Sequence, residues 1–219
     1  MNMKPMKINF KNVIVYISGM VAISLGVVMM LKSSIGLSSW DTLHYSLHKL
    51  LGITIGTAVI GVASVFTFYV TISNKQFKYF LMAIPILVVG VLIDYLNLIL
   101  FVDFNPTSLL VQIPIFIFGL LFLPLGGSLL IISTFPAGVL DEFMLTLMRQ
   151  FKTENLIKVR VIMETCATLL AIIISLIVDD PEYPLGMFNI GTIIFSVTVG
   201  IMVKIYLQFF EKIGLYKIT

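Results

Sequence analysis

Six apolar runs decide what this chain can become. They fall at about 13–31, 52–73, 79–101, 108–133, 157–178 and 186–207, each close to the roughly 20 residues a helix needs to cross a hydrocarbon core. Backbone groups in lipid must bond within their own segment, and the alternation of a membrane strand is absent, so helix is the remaining choice. The chain reads as an all-α integral membrane protein, a single membrane domain over 1–219 with six transmembrane helices. Charged residues are 11% of the chain, against about 25% in a soluble domain, and the mean hydropathy is +1.08. The first run follows a basic flank, as a signal peptide does, but it is 19 residues long and no small-residue cleavage site follows; it is expected to stay as a span.

The charges are sorted by side. Alternating six spans from a cytoplasmic N-terminus puts Lys4, Lys7, Lys11, Lys75, Lys78, Arg149, Lys152, Lys158, Arg160, Lys204, Lys212 and Lys217 on the cytoplasmic side and only Lys32 and Lys49 outside. Basic residues favour the cytoplasmic side, so both termini are expected there. Asp103, Asp179, Asp180 and Glu182 fall in the outer loops. A formal charge of +3 placed in this way belongs to membrane topology and does not point to nucleic acid. The single Cys, Cys166, lies in an apolar run and allows no internal disulfide.

Between the first two runs lies Ser33–Gly56, which is too polar for one more span. It holds the one Trp (Trp40), both His (His44 and His48) and Asp41. One hundred residues later the pattern returns as Ser133-Thr-Phe-Pro-Ala-Gly-Val-Leu-Asp141-Glu142. Sliding the chain by 100 aligns 19–51 with 119–151 without a gap, with identities at Gly19/Gly119, Leu25/Leu125, Gly26/Gly126, Ser33/Ser133, Asp41/Asp141 and Leu47/Leu147. Each half, 13–101 and 108–210, would hold three spans, an odd number, so the second repeat would be inverted. Inverted repeats are a recurring plan of secondary transporters, with the site near the midplane.

Here the residues also resemble a family. Gly36-x-x-x-Trp40-Asp41-x-x-His44, then Gly52-Ile-Thr-x-Gly56-Thr57, is similar to the signature of YczE/YyaS-type (YitT-related) bacterial multipass membrane proteins; Arg160-x-x-x-Glu164 and Ile190-Gly191-Thr192 resemble its second half. The resemblance implies a multipass protein of the bacterial cytoplasmic membrane and no settled activity. Two departures are Ser39, where a Pro often precedes the Trp, and the absence of the soluble C-terminal domain of the YitT-type proteins.

Ser38 and Ser39 are N-cap candidates that would put Asp41 in a first helical turn, and His48 and Lys49 would close that helix before Gly52. Asp141 and Glu142 would open the second copy, and Arg149 and Lys152 would finish it. Such helices lie on the interface or re-enter the membrane. A bare helix N-terminus attracts anions, but each of these carries its own carboxylate, so a cation, a proton or an amine-bearing solute is favoured. Asp41, His44 and His48 share one helix face, an arrangement open to a metal but without an evident fourth ligand; it reads as a solvated stripe, with no metal or cofactor expected.

Asp94 lies seven residues from the end of the third run, about 10 Å deep at 1.5 Å per residue. Such a group faces the bundle interior or a water-filled path by default, or packs near the outer interface. Glu164, one turn from Arg160, suggests a structural ion pair. Asn97 and Asn189 are candidates for bonds between helices, and Pro85, Pro124 and Pro136 for kinks or half-helix ends. Small residues recur at helical spacing at Ser18, Ala22 and Gly26, at Gly52 and Gly56, and at Thr192, Ser196 and Gly200, as in close helix packing.

There is no HExxH, P-loop, GxSxG or Cys/His cluster, so no enzyme is expected. The favoured reading is a transporter or channel for a small solute, with Asp94, Trp40, Asp41, His44, Asp141 and Glu142 along the path. The alternative is an accessory or partner-binding membrane protein, or the substrate-binding subunit of a larger transporter. Lipids are the certain partners; a homo-oligomer or a partner subunit fits either reading.

Overall fold

A computed structural model describes residues 9–133, 135, 138–179 and 183–215. Lys4, Lys7, Thr134, Pro136, Asp180, Glu182 and Lys217 lie outside the described residues. Eight helices follow in order: α1 (Phe10–Ser33), α2 (Ser39–Leu51), α3 (Ile55–Asn74), α4 (Ala83–Tyr95), α5 (Leu109–Ile132), α6 (Val139–Gln150), α7 (Leu156–Val178) and α8 (Ile190–Lys212). A 3-10 turn at Phe77–Met82 leads into α4 and a π turn at Leu96–Leu100 ends it. Pro184–Met187 is a four-residue extended segment. Six stretches are long and apolar enough to cross a membrane, namely Phe10–Ser33, Ile55–Asn74, Phe77–Leu100, Leu109–Ile132, Ile157–Val178 and Ile190–Lys212. They match the six apolar runs.

The two polar stretches form α2 and α6, of 13 and 12 residues. At 1.5 Å per residue each is about 20 Å long, too short to cross a core about 30 Å thick. Neither lies flat on the bundle. α2 runs parallel to α7, with Leu43 against Ala167 and Ala171 and Ser46 bonded to Ser175. α6 runs along α3, with Phe143 tilted against Phe66 and Thr146 bonded to Asn74. Trp40, at the start of α2, meets the same Phe66 edge-on at 5.4 Å. Phe66 is near the middle of α3, so α2 and α6 enter from opposite faces and bring their N-termini to its mid-length. A start half-way along an apolar helix is the placement that the re-entrant form requires.

α1 and α5 cross antiparallel through glycines. A Cβ on Gly126 would lie 2.6 Å from the Gly19 carbonyl oxygen, and one on Gly119 would lie 2.8 Å from that of Gly26. The contact stripe therefore runs through Gly19 and Gly26, not through Ser18, which is exposed. Gly52 does not serve a span either: with φ +65 it caps α2, where a left-handed residue ends the helix. Gly56 does pack closely, against Gly90 of α4, while nothing lies within 4 Å of a Cβ on Gly200.

The proline expectations divide. Pro85 sits in the first turn of α4, where its missing N–H costs nothing. Pro124 is no half-helix end, because α5 continues through it for two more turns. Asn189 does not bridge helices: it caps α8 in a reciprocal box with Thr192.

Candidate functional site

The start of α2 is held by its own sequence. Ser38 accepts from the Asp41 N–H at 3.1 Å, and its hydroxyl donates to the Asp41 carboxylate at 2.5 Å. Ser38 is thus the N-cap of α2, and the acid three residues on holds the capping hydroxyl, where a capping box would have it hold the backbone N–H. The other Asp41 oxygen is 3.4 Å from Nδ1 of His44. Both residues are buried, at 8% and 7% exposure, because α2 is enclosed by α3, α7 and the extended segment. The solvated stripe expected here is therefore corrected to an internal one. His48 leaves it altogether, since its Nδ1 hydrogen-bonds the Ile53 carbonyl in the turn after α2.

From α7, Glu164 enters this end of α2. The Ser39 hydroxyl and the Trp40 indole lie beside its carboxylate, and the charges of Arg160 and Asp41 act on it. Arg160 also lies 3.9 Å from Asp141 of α6. α7 thus links the two polar helix starts: Glu164 faces α2, and Arg160, one turn away, reaches α6.

The start of α6 differs from that of α2. Its cap position is Gly138, with no side-chain hydrogen bond. The Asp141 side chain is 54% exposed, where that of Asp41 is 11% exposed. Glu142 is tied to Arg149 by a salt bridge, and Arg149 also bonds Thr146 and the Leu145 carbonyl.

Asp94 sits elsewhere. Its carboxylate accepts from the Thr54 hydroxyl at 2.5 Å and from the Gly56 N–H at 2.8 Å, so a residue of α4 caps α3. The N-terminal N–H groups of a helix lack internal partners, and its dipole favours a negative charge there. The structure does not bring Asp94 to the junction of α2 and α6.

The signals that the sequence reading passed over are the hydroxyls. Ser46 and Thr146, one hundred positions apart, each bond the carbonyl four residues back and a polar side chain on the neighbouring span. The conservative Ser46/Thr146 pairing was present in the repeat alignment but was not singled out. Among the described residues no group of three His, Cys, Asp or Glu side chains is arranged to hold a metal.

A family model described as "Family of unknown function (DUF6198)" matches residues 10–208. The chain is 24% identical over 131 residues to "Uncharacterized membrane protein YczE" of Bacillus subtilis (strain 168), a match over 59% of this chain and 60% of that protein. It is 25% identical over 197 residues to "Uncharacterized protein YyaS" of the same organism, over 89% and 91% of the two chains. No solved structure matches it.

Proposed function

The chain belongs to the family of unknown function DUF6198, with YczE and YyaS among its relatives, and for this multi-pass membrane protein we propose transport or channelling of a small solute. We place it in the bacterial cytoplasmic membrane with both termini cytoplasmic, on the sorting of Lys and Arg. The observation that carries the reading is the convergence of α2 and α6, two half-length helices that start at the mid-length of α3 from opposite sides. A broken, polar backbone at that depth is tolerated where it lines a cavity or a path, and half-helices meeting near the midplane are a recurring form of transporter sites.

The matched contacts of the two halves support an inverted repeat. Gly19 packs on Gly126 while Gly26 packs on Gly119, the reciprocal pattern of an isologous contact. α2 packs on α7 of the other half as α6 packs on α3, and α1 on α4 as α5 on α8.

The charges favour a cation, a proton or an amine-bearing solute. Four carboxylates, Asp41, Asp141, Glu142 and Glu164, gather around the junction with two arginines, Arg149 and Arg160. Glu142 is tied to Arg149, which leaves Arg160 among the other three. An anion would meet acids at both helix starts.

The test is flux by the chain alone. Liposomes holding a pH-sensitive dye, energised by a potassium gradient with valinomycin, report proton movement, and a panel of radiolabelled amines reports the rest. Flux above protein-free liposomes supports the proposal. Absence of flux for protons and for every amine moves the chain to the accessory or partner-subunit role.

A further inference from the structure

The two halves match in most of their contacts and differ in a few, several of them around the starts of α2 and α6. On the α2 side the junction is shut. Tyr183 donates to Ser34 at 3.0 Å and meets Tyr45 edge-on at 5.9 Å. The Gly191 N–H bonds the Ile35 carbonyl at 3.1 Å, and Gly36 leaves no room for a Cβ, which would lie 2.6 Å from the Thr192 nitrogen. Gly186, at φ +65, sits on the Ser46–Ser175 hydrogen bond: a Cβ there would lie 2.5 Å from the Ser175 hydroxyl and 3.0 Å from that of Ser46. The segment from Tyr183 to Met187 is thus a strap laid across the seam of α2 and α7.

On the α6 side the equivalent places are more open. Gly138 stands where α2 has its Ser38 cap, and Asp141 and Arg160 have side-chain exposures of 54% and 45%. The spans differ in the same sense. α3 and α4 are zipped together at Gly56 and Gly90, whereas no comparable seam joins α7 and α8 among the described residues.

Resting on the inverted-repeat transport reading, we infer that this is one of two arrangements, open at α6 and shut at α2, and that the Ser46–Ser175 seam under the strap is the gate that parts in the other. Halves built on one plan can exchange conformations. The two hydroxyls bonded at 2.8 Å add little to such a seam, as single hydrogen bonds between membrane helices do. Beside it the same two helices bury a small apolar cluster, Leu43 with Ala167 and Ala171 and with Leu47 and Ile174 packed against them, which must part together with the hydroxyls.

The test uses the full chain in membranes with Cys166→Ala as background and Ser46→Cys with Ser175→Cys added. A copper–phenanthroline oxidant should join the pair rapidly, because the two side chains touch. After reduction, a membrane-impermeant maleimide added at the α2 side should label both thiols, at least about tenfold faster than it labels Ser24→Cys, a fully buried site that reports general loosening. The pair crosslinking but labelling no faster than Ser24→Cys overturns the inference, as does failure of the pair to crosslink in protein that is otherwise folded. Single Ser46→Cys and Ser175→Cys chains, labelled in the same way, keep the test valid should the double variant fold poorly. Labelling without flux would retain the gate and remove the transport reading; flux without labelling would retain transport and remove the gate.

Discussion

Ser33 and Ser133 close their helices with the same two hydrogen bonds. Ser33 donates to the Met30 carbonyl at 2.6 Å and accepts from the Ile35 N–H at 3.3 Å; Ser133 donates to the Leu130 carbonyl at 2.7 Å and accepts from the Phe135 N–H at 3.4 Å. Both are fully buried. Each turns the chain from a span into the approach to a half-length helix. A polar group buried without partners would be costly there, and each hydroxyl also satisfies a backbone N–H that the end of a helix leaves free.

Equal geometry predicts equal cost. Ser46→Ala and Thr146→Val each remove one bond from a half-length helix to its neighbouring span, Ser46 to Ser175 and Asn74 to Thr146. Each is expected to lower stability by about 0.6 kcal/mol, and by no more than about 1.7 kcal/mol. Thermal unfolding in detergent checks this; a cost above that range for one and none for the other would break the equivalence.

The glycines of the α1–α5 crossing predict a larger effect. A Cβ on Gly26 would lie 2.6 Å from the Leu123 nitrogen, and that backbone cannot move without shifting α5. Gly26→Ala is expected to cost about 1–3 kcal/mol, the usual range for overpacking. Gly61→Ala is the control, since nothing lies within 4 Å of its Cβ; it should be neutral or stabilising by up to about 1 kcal/mol, because alanine favours helix over glycine.

Asp94 is expected to behave as a cap. Asp94→Ala leaves the Gly56 N–H and the Thr54 hydroxyl without their acceptor, at a cost of about 0.5–2 kcal/mol. Asp94→Asn keeps an oxygen for Gly56 and offers an N–H to Thr54, so most of that loss should be absent. Unfolding curves of the two variants side by side decide it.

How much of this was legible in the sequence follows from what each signal depends on. The six spans, the two polar helix starts and the Gly19/Gly119 and Gly26/Gly126 matches are local or periodic, and the fold keeps them. The role of Asp94 was not legible, because depth in a span says nothing about which helix end lies beside it. The partner of Arg160 was equally hidden. Its spacing from Glu164 suggested a pair within α7, yet its carboxylate within salt-bridge distance is Asp141, supplied by α6. Asp41 and His44 read as a solvated stripe because polarity alone cannot distinguish an outer surface from an internal junction.

Trp40 offers a direct view of that junction, being the only Trp in the chain. The Glu164 carboxylate lies beside its indole, so Glu164→Gln should alter the emission of Trp40 while leaving the helical content by circular dichroism unchanged. Arg160→Met, which acts one contact further away, should change it less. Identical spectra for wild type and Glu164→Gln would remove the contact from the account.

The central claim is that solute passes where α2 and α6 converge, and flux through variants in proteoliposomes measures it most directly. Asp41→Asn and Asp141→Asn keep size and hydrogen bonding but remove a charge from each helix start. Each is expected to cut proton or amine flux by at least about tenfold, equivalent to about 1.4 kcal/mol in the barrier, while Asp94→Asn leaves it near the wild-type rate. Full flux through both Asp41→Asn and Asp141→Asn, with flux lost in Asp94→Asn, would contradict the account and move the path to the outer end of α3 and α4.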